Sequence, residues 1–118
     1  MSKPVGPYTP IVRAGDWLVV SGQVGIADGK LVSGGLEAEL RQAIANLAGL
    51  LASEGASLSD VTKTTVFLRH LGGDYPLMNE VYMELFGDHR PARSAVGVAE
   101  LPIGALVEVE AWAHVGAG

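Results

Sequence analysis

The spacing of hydrophobic positions changes several times along the chain, and each change marks an element. Around an "AGD" turn, residues 11–13 ("IVR") and 17–24 ("WLVVSGQV") carry β-branched and aromatic side chains, which predicts a hairpin. "ADGK" is a second Asp-Gly turn and sets residues 30–32 antiparallel to the strand before them. The period then lengthens. In "LEAELRQAIANLAGLLASEG", Leu36, Leu40, Ile44, Leu47 and Leu51 recur at helical spacing, with Gly55 as the stop. Residues 60–69 ("DVTKTTVFLR") return to period two and are rich in threonine, so they are predicted as a strand. A shorter helix is predicted over residues 75–86, with Asp74 as N-cap, Pro76 in the first turn and Gly87 as the stop. Residues 95–100 and 106–115 are predicted as two closing strands joined by an "LPIG" turn.

The order β-β-β-α-β-α-β-β predicts an α+β fold: a mixed sheet of about six strands with two helices on one face. Two helices cover only one side, and the last strand says what the other side is for. Period two puts Val107, Val109, Ala111 and Ala113 on one face, fit to pack under helices. Glu108, Glu110, Trp112 and His114 fall on the other. An indole beside two carboxylates on a face that helices leave bare predicts a partner surface, hence a homo-oligomer with sites at its seams.

Composition narrows the class. The 118 residues suit one domain, 1–118, with a real core. A formal net charge of −5, with only eight Lys and Arg, makes nucleic acid an unlikely partner. Without cysteine there is no disulfide and no cysteine-rich zinc site. "MSKPVGPYTP" lacks the apolar core of a signal peptide and no apolar run is long enough to span a bilayer, so the expected location is cytoplasmic, with no membrane partner. His70, His89 and His114 have no metal-ligand spacing, and no phosphate-cradling glycine motif occurs. Ser21 and Ser94 lie outside any G-x-S-x-G context. No metal and no cofactor are expected.

That leaves Arg93, Glu108 and Glu110. Two carboxylates two residues apart on one strand face lie roughly 6.5–7 Å from each other. Such neighbours raise one pKa unless a cation intervenes. An arginine fork binds carboxylates with two parallel hydrogen bonds, so Arg93 suits either these glutamates or the carboxylate of a substrate. The residues alone allow a solvated ion pair on an exposed sheet as readily as a site.

"GPY", "VSGQ", "VTKTTVFL", "NEVY", "PARSAV" and "LPIGALVEVEAWA" follow one another in this order from about residue 4 to residue 113. In them the chain resembles the reactive intermediate deaminase (RidA/YjgF) family. The resemblance implies a chorismate-mutase-like homotrimer whose sheets form a central barrel, with a ligand cleft at each subunit interface. It also implies cofactor-free hydrolysis of 2-imino acids, tautomers of enamines, to 2-oxo acids and ammonia. By resemblance Arg93 clamps the substrate carboxylate and Glu108 activates the attacking water, leaving Glu110 the more structural of the pair. Tyr8 lines the cleft, Ser21 supplies a nearby hydroxyl, and Asn79 is a polar residue near the pocket. Gly22 and Ala95 complete the substrate-binding set, Ala95 through its backbone N–H.

The chain departs from commoner members at Pro10, Ala95, Gly97 and Ile103, where glutamine, cysteine or threonine, glutamate and lysine are frequent. A cysteine-dependent reaction is excluded, and substrate preference is left open. Two further functions compete with imine hydrolysis. One is a non-catalytic module that binds a small carboxylate. The other is RNA cleavage, against which the acidic charge argues.

Overall fold

The computed structural model describes residues 6–116; the first five, read above for a leader, and the last two lie outside them. Strands β1 (Ile11–Ala14) and β2 (Trp17–Gln23) form the expected hairpin. Helix α1 (Gly35–Ser53) carries the predicted leucine stripe, with Leu40, Ile44, Leu47 and Leu51 all buried. Strand β5 (Val61–Leu68) is followed by helix α2 (Leu71–Phe86), strand β6 (Ala92–Gly97) and strand β7 (Val107–His114). Between the first hairpin and α1, β3 (Ile26–Ala27) and β4 (Lys30–Leu31) pair as a small ribbon.

The main sheet runs β1-β2-β7-β5-β6, with β5 and β6 parallel and the other neighbours antiparallel. It has five strands rather than six, because the third predicted strand stays with β3 in the separate ribbon. Gly25 explains the departure. A Cβ there would stand 2.7 Å from the Glu39 backbone, so the chain leaves the sheet by passing directly against α1.

Two other predictions need correction. Helix α2 begins at Leu71 rather than residue 75, with His70 as its N-cap; Asp74 is a first-turn residue and its N–H donates to the His70 carbonyl. The weak helix formers Gly72 and Gly73 are carried by Leu71, which packs on the core and against Gly97. Pro76 therefore sits in the second turn, opposite the carbonyl of Gly72. The strand predicted over residues 95–100 runs Ala92–Gly97 instead and pairs with β5, not β7. A strand entering parallel to β5 needs a crossover, and α2 provides it.

Both helices cover one face. Leu18, Val20, Val66, Leu68, Val107, Val109, Ala111 and Ala113 from the sheet meet the α1 stripe and Met78, Val81, Tyr82 and Phe86 of α2. Each fully buried leucine in such a core contributes about 2–3 kcal/mol. The opposite face stays open as the period-two reading predicts. Trp112 is 46% exposed there, edge-on to Trp17 with ring centroids 6.1 Å apart.

Candidate active site

Glu108 stands on the open face near the start of β7. Strand β2 has one residue too many opposite this part of β7: Val20 pairs with Ala111 and Gln23 with Val109, so Ser21 and Gly22 form a bulge. The bulge brings Gly22 against the Glu108 carboxylate, where a Cβ would lie 2.6 Å from Cδ and 2.7 Å from Oε2. Burial, with the Glu110 carboxylate beside it, pushes the Glu108 carboxyl above the usual carboxylate range. Among the described residues no Lys or Arg pairs with Glu108 or Glu110.

Ser21 organises the chain leading to this point. Its hydroxyl donates to the Thr9 carbonyl at 2.7 Å and its backbone N–H to the Pro10 carbonyl at 2.8 Å, which fastens the segment after Tyr8 to β2. Pro10, one of the departures from the family pattern, keeps the carbonyl this contact needs. Tyr8 itself is 44% exposed.

Arg93 belongs to the other face. It registers with Thr64 of β5, whereas Glu108 registers with Phe67, three residues further along the same strand. An odd separation means opposite faces. The Arg93 guanidinium lies against α2: Nη2 donates to the Tyr75 hydroxyl at 3.1 Å and Nη1 to Met78 Sδ at 3.6 Å. Its Cζ lies 5.0 Å from the Tyr82 ring centroid and 5.7 Å from that of Tyr75. Tyr82 is fixed in turn by a 2.7 Å hydrogen bond between its hydroxyl and the buried Thr64 Oγ1. No carboxylate among the described residues pairs with Arg93.

The single chain thus gathers the predicted residues in two groups. Ser21, Gly22 and Glu108 meet at the β2 bulge, with the Tyr8 segment tied to it. Arg93 and Ala95 share the helix-side face of β6, beside the helix that carries Asn79. Asn79 Oδ1 is buried with no hydrogen-bond partner among the described residues. Arg93 and Glu108 do not meet within one copy, so they do not form the exposed ion pair that the residues alone allowed. Tyr75, Met78 and Tyr82 are the residues sequence reasoning missed. Their i, i+3, i+7 spacing was a readable signal of one helix stripe, but nothing in it said that an arginine would lie there. Among the described residues no three His, Asp or Glu side chains cluster as a metal would require.

Comparison with known proteins gives the family of the chain. The endoribonuclease L-PSP family matches residues 1–115. A RutC family protein of Pyrococcus horikoshii is 43% identical over 114 residues, covering 95% of this chain and 90% of the relative. The 2-iminobutanoate/2-iminopropanoate deaminase of Dermatophagoides farinae is 41% identical, over 92% of this chain and 85% of its own. The crystal structure of RidA from an Antarctic Psychrobacter superposes with a TM-score of 0.92 at 35% identity, covering 96% of this chain and 92% of that one. With its α+β fold, its ordered motifs and these relatives, the chain belongs to the endoribonuclease L-PSP family, the family of RidA.

Proposed function

We propose that the chain is a cofactor-free hydrolytic deaminase that converts 2-imino acids, in equilibrium with their enamines, to 2-oxo acids and ammonia. It works on small carboxylates in the cytoplasm as a homotrimer, and each site joins Arg93 of one copy to Glu108 of the next. The observation that carries this reading is Glu108: a half-buried carboxylate of raised pKa, with no Lys or Arg paired to it among the described residues of its own copy and a glycine cleared beneath it. The deaminase relatives support the substrate class.

The chemistry follows from the two poles. Arg93 takes the substrate carboxylate in its fork and fixes the imine carbon at a set distance. Glu108 accepts a proton from water as the water oxygen bonds to that carbon and the C=N pair moves to nitrogen. The protonated Glu108 then returns that proton to the nitrogen, giving a carbinolamine; Glu108 next takes the carbinolamine hydroxyl proton and passes it to the amino nitrogen as the C–N bond breaks, so that ammonia leaves and the oxygen becomes the carbonyl of the 2-oxo acid. Tyr8, Ser21, Gly22, Asn79 and the Ala95 backbone line the cleft. A raised pKa suits Glu108 to both taking and returning the proton.

A pure carboxylate receptor gains nothing from a second negative charge nearby, so the presence of Glu108 disfavours the binding-module reading. The net charge of −5 disfavours RNA. The test is ammonia release from imino acids generated in place by an amino-acid oxidase, with Arg93→Ala as control. Catalysed release in the wild type, lost in the variant, supports the proposal; release no faster than the spontaneous rate overturns it.

A further inference from the structure

We infer that Tyr75 is a positioning residue for Arg93, its hydroxyl setting the guanidinium in the orientation that receives a carboxylate. The inference rests on the reading of Arg93 as the carboxylate clamp. An arginine side chain has several rotatable bonds, and one without an acidic partner has no strong reason to hold one pose. Arg93 nevertheless makes contacts on more than one side. Tyr82 supplies a ring 5.0 Å from Cζ, itself anchored to Thr64, and Met78 Sδ receives Nη1. These are soft contacts, and the thioether, a weak acceptor, restrains rotation of the guanidinium in its own plane only weakly. The hydrogen bond from Nη2 to the Tyr75 hydroxyl, at 3.1 Å, stops that rotation.

The donor count shows why a neutral acceptor suits this position. Of five N–H donors on a guanidinium, Tyr75 and Met78 engage two, which leaves three, enough for a two-bond fork. A carboxylate in place of the phenol would hold the arginine more tightly, but its charge would compete with the ligand. A phenylalanine would keep the ring 5.7 Å from Cζ and lose the directional bond. Tyr75 is also 41% exposed, so its hydroxyl is not needed for the core. Its removal acts through Arg93.

The experiment compares Tyr75→Phe and Tyr75→Leu with wild type in three measurements: steady-state imine hydrolysis, calorimetric affinity for 2-oxobutanoate as a stable carboxylate probe, and thermal midpoint. Tyr75→Phe is expected to raise KM and the probe Kd together by about three- to tenfold, with kcat within about twofold and the midpoint unchanged. Tyr75→Leu, which loses the ring as well, should raise both further. Unchanged KM and Kd in Tyr75→Phe would overturn the inference. So would a loss that tracks a fall in thermal midpoint, because that is a packing defect. The 2-oxobutanoate arm reads Arg93 without turnover. A wild type that binds the probe but releases no ammonia would sink the deaminase reading while leaving the Tyr75 comparison intact.

Discussion

Gly22 lies directly beneath the Glu108 carboxylate, close enough that a single added methyl would clash with Cγ, Cδ and Oε2 at 2.9, 2.6 and 2.7 Å. Those atoms belong to a flexible side chain, so the fold can absorb an alanine at residue 22 by turning the carboxylate away. Gly22→Ala should therefore lower turnover by roughly 10–100-fold while leaving the thermal midpoint within a few degrees of wild type. Activity and thermal melts on the same preparation check this. A fully active alanine variant would show that the position of the Glu108 carboxylate does not matter.

The two glutamates should separate by pH. Glu108→Gln keeps the shape of the site and removes the proton acceptor, so turnover should fall by about 10²–10⁴-fold while 2-oxobutanoate still binds. Glu110→Gln removes the neighbouring charge that helps raise the Glu108 pKa, so its rate profile should extend to lower pH than wild type. Rate profiles of the three proteins test both statements. Equal activity of Glu108→Gln and wild type would remove the general-base role.

The same raised pKa has a stability sign. Protonating a carboxyl whose pKa is higher folded than unfolded stabilises the fold; that contribution is complete below the ordinary glutamate range and lost as pH rises through the elevated value. At neutral pH the ionised Glu108 is thus a liability within its own copy, and Glu108→Gln should raise the thermal midpoint. The gain should shrink as the pH is lowered. Melts at pH 7.5 and below pH 5 give the comparison.

Because Arg93 and Glu108 occupy opposite faces of one sheet, sites shared between copies predict complementation. Arg93→Ala and Glu108→Gln chains, each inactive alone, should recover activity when co-expressed, since a site is whole wherever an intact Arg93 meets an intact Glu108. Random assembly of a ring from equal amounts makes roughly a quarter of the sites whole. Failure to recover any activity from mixed oligomers, shown by sedimentation to be trimers, would remove the shared-site arrangement.

Arg93→Lys should be nearly as damaging as Arg93→Ala, because lysine keeps the charge but loses the fork and its stacking on the tyrosine rings. Steady-state kinetics with 2-iminobutanoate decide this. Retained activity would reduce the arginine to electrostatic attraction.

What was legible in the sequence was whatever periodicity encodes locally. The leucine stripe gave α1 and its core face, and strict alternation from Val107 to Ala113 gave both faces of β7. The start of α2 was not legible, because Leu71 earns its place by packing across the fold while Gly72, Gly73 and Pro76 argue locally against a helix. The pairing of β6 with β5 is a long-range choice, and so the face presented by Arg93 could not be fixed. Arg93 and Glu108 were found as residue types in ordered motifs, but their separation by the thickness of the sheet depends on that register. The bulge at Ser21 and Gly22 left no mark beyond one glycine.

Strand β7 comes last in chain order and yet lies in the middle of the sheet, between β2 and β5. During synthesis the first hairpin and the β5-α2-β6 unit can each begin to form, but each must wait with an open edge until β7 has left the ribosome and zips them together. The pairings it closes span nearly the whole chain, which slows folding and exposes two unpaired edges to neighbouring nascent chains. Glu108, the proposed water-activating residue, therefore sits on the strand that completes the fold, so a chain cut short before β7 would lack both that carboxylate and the element that makes it a single body.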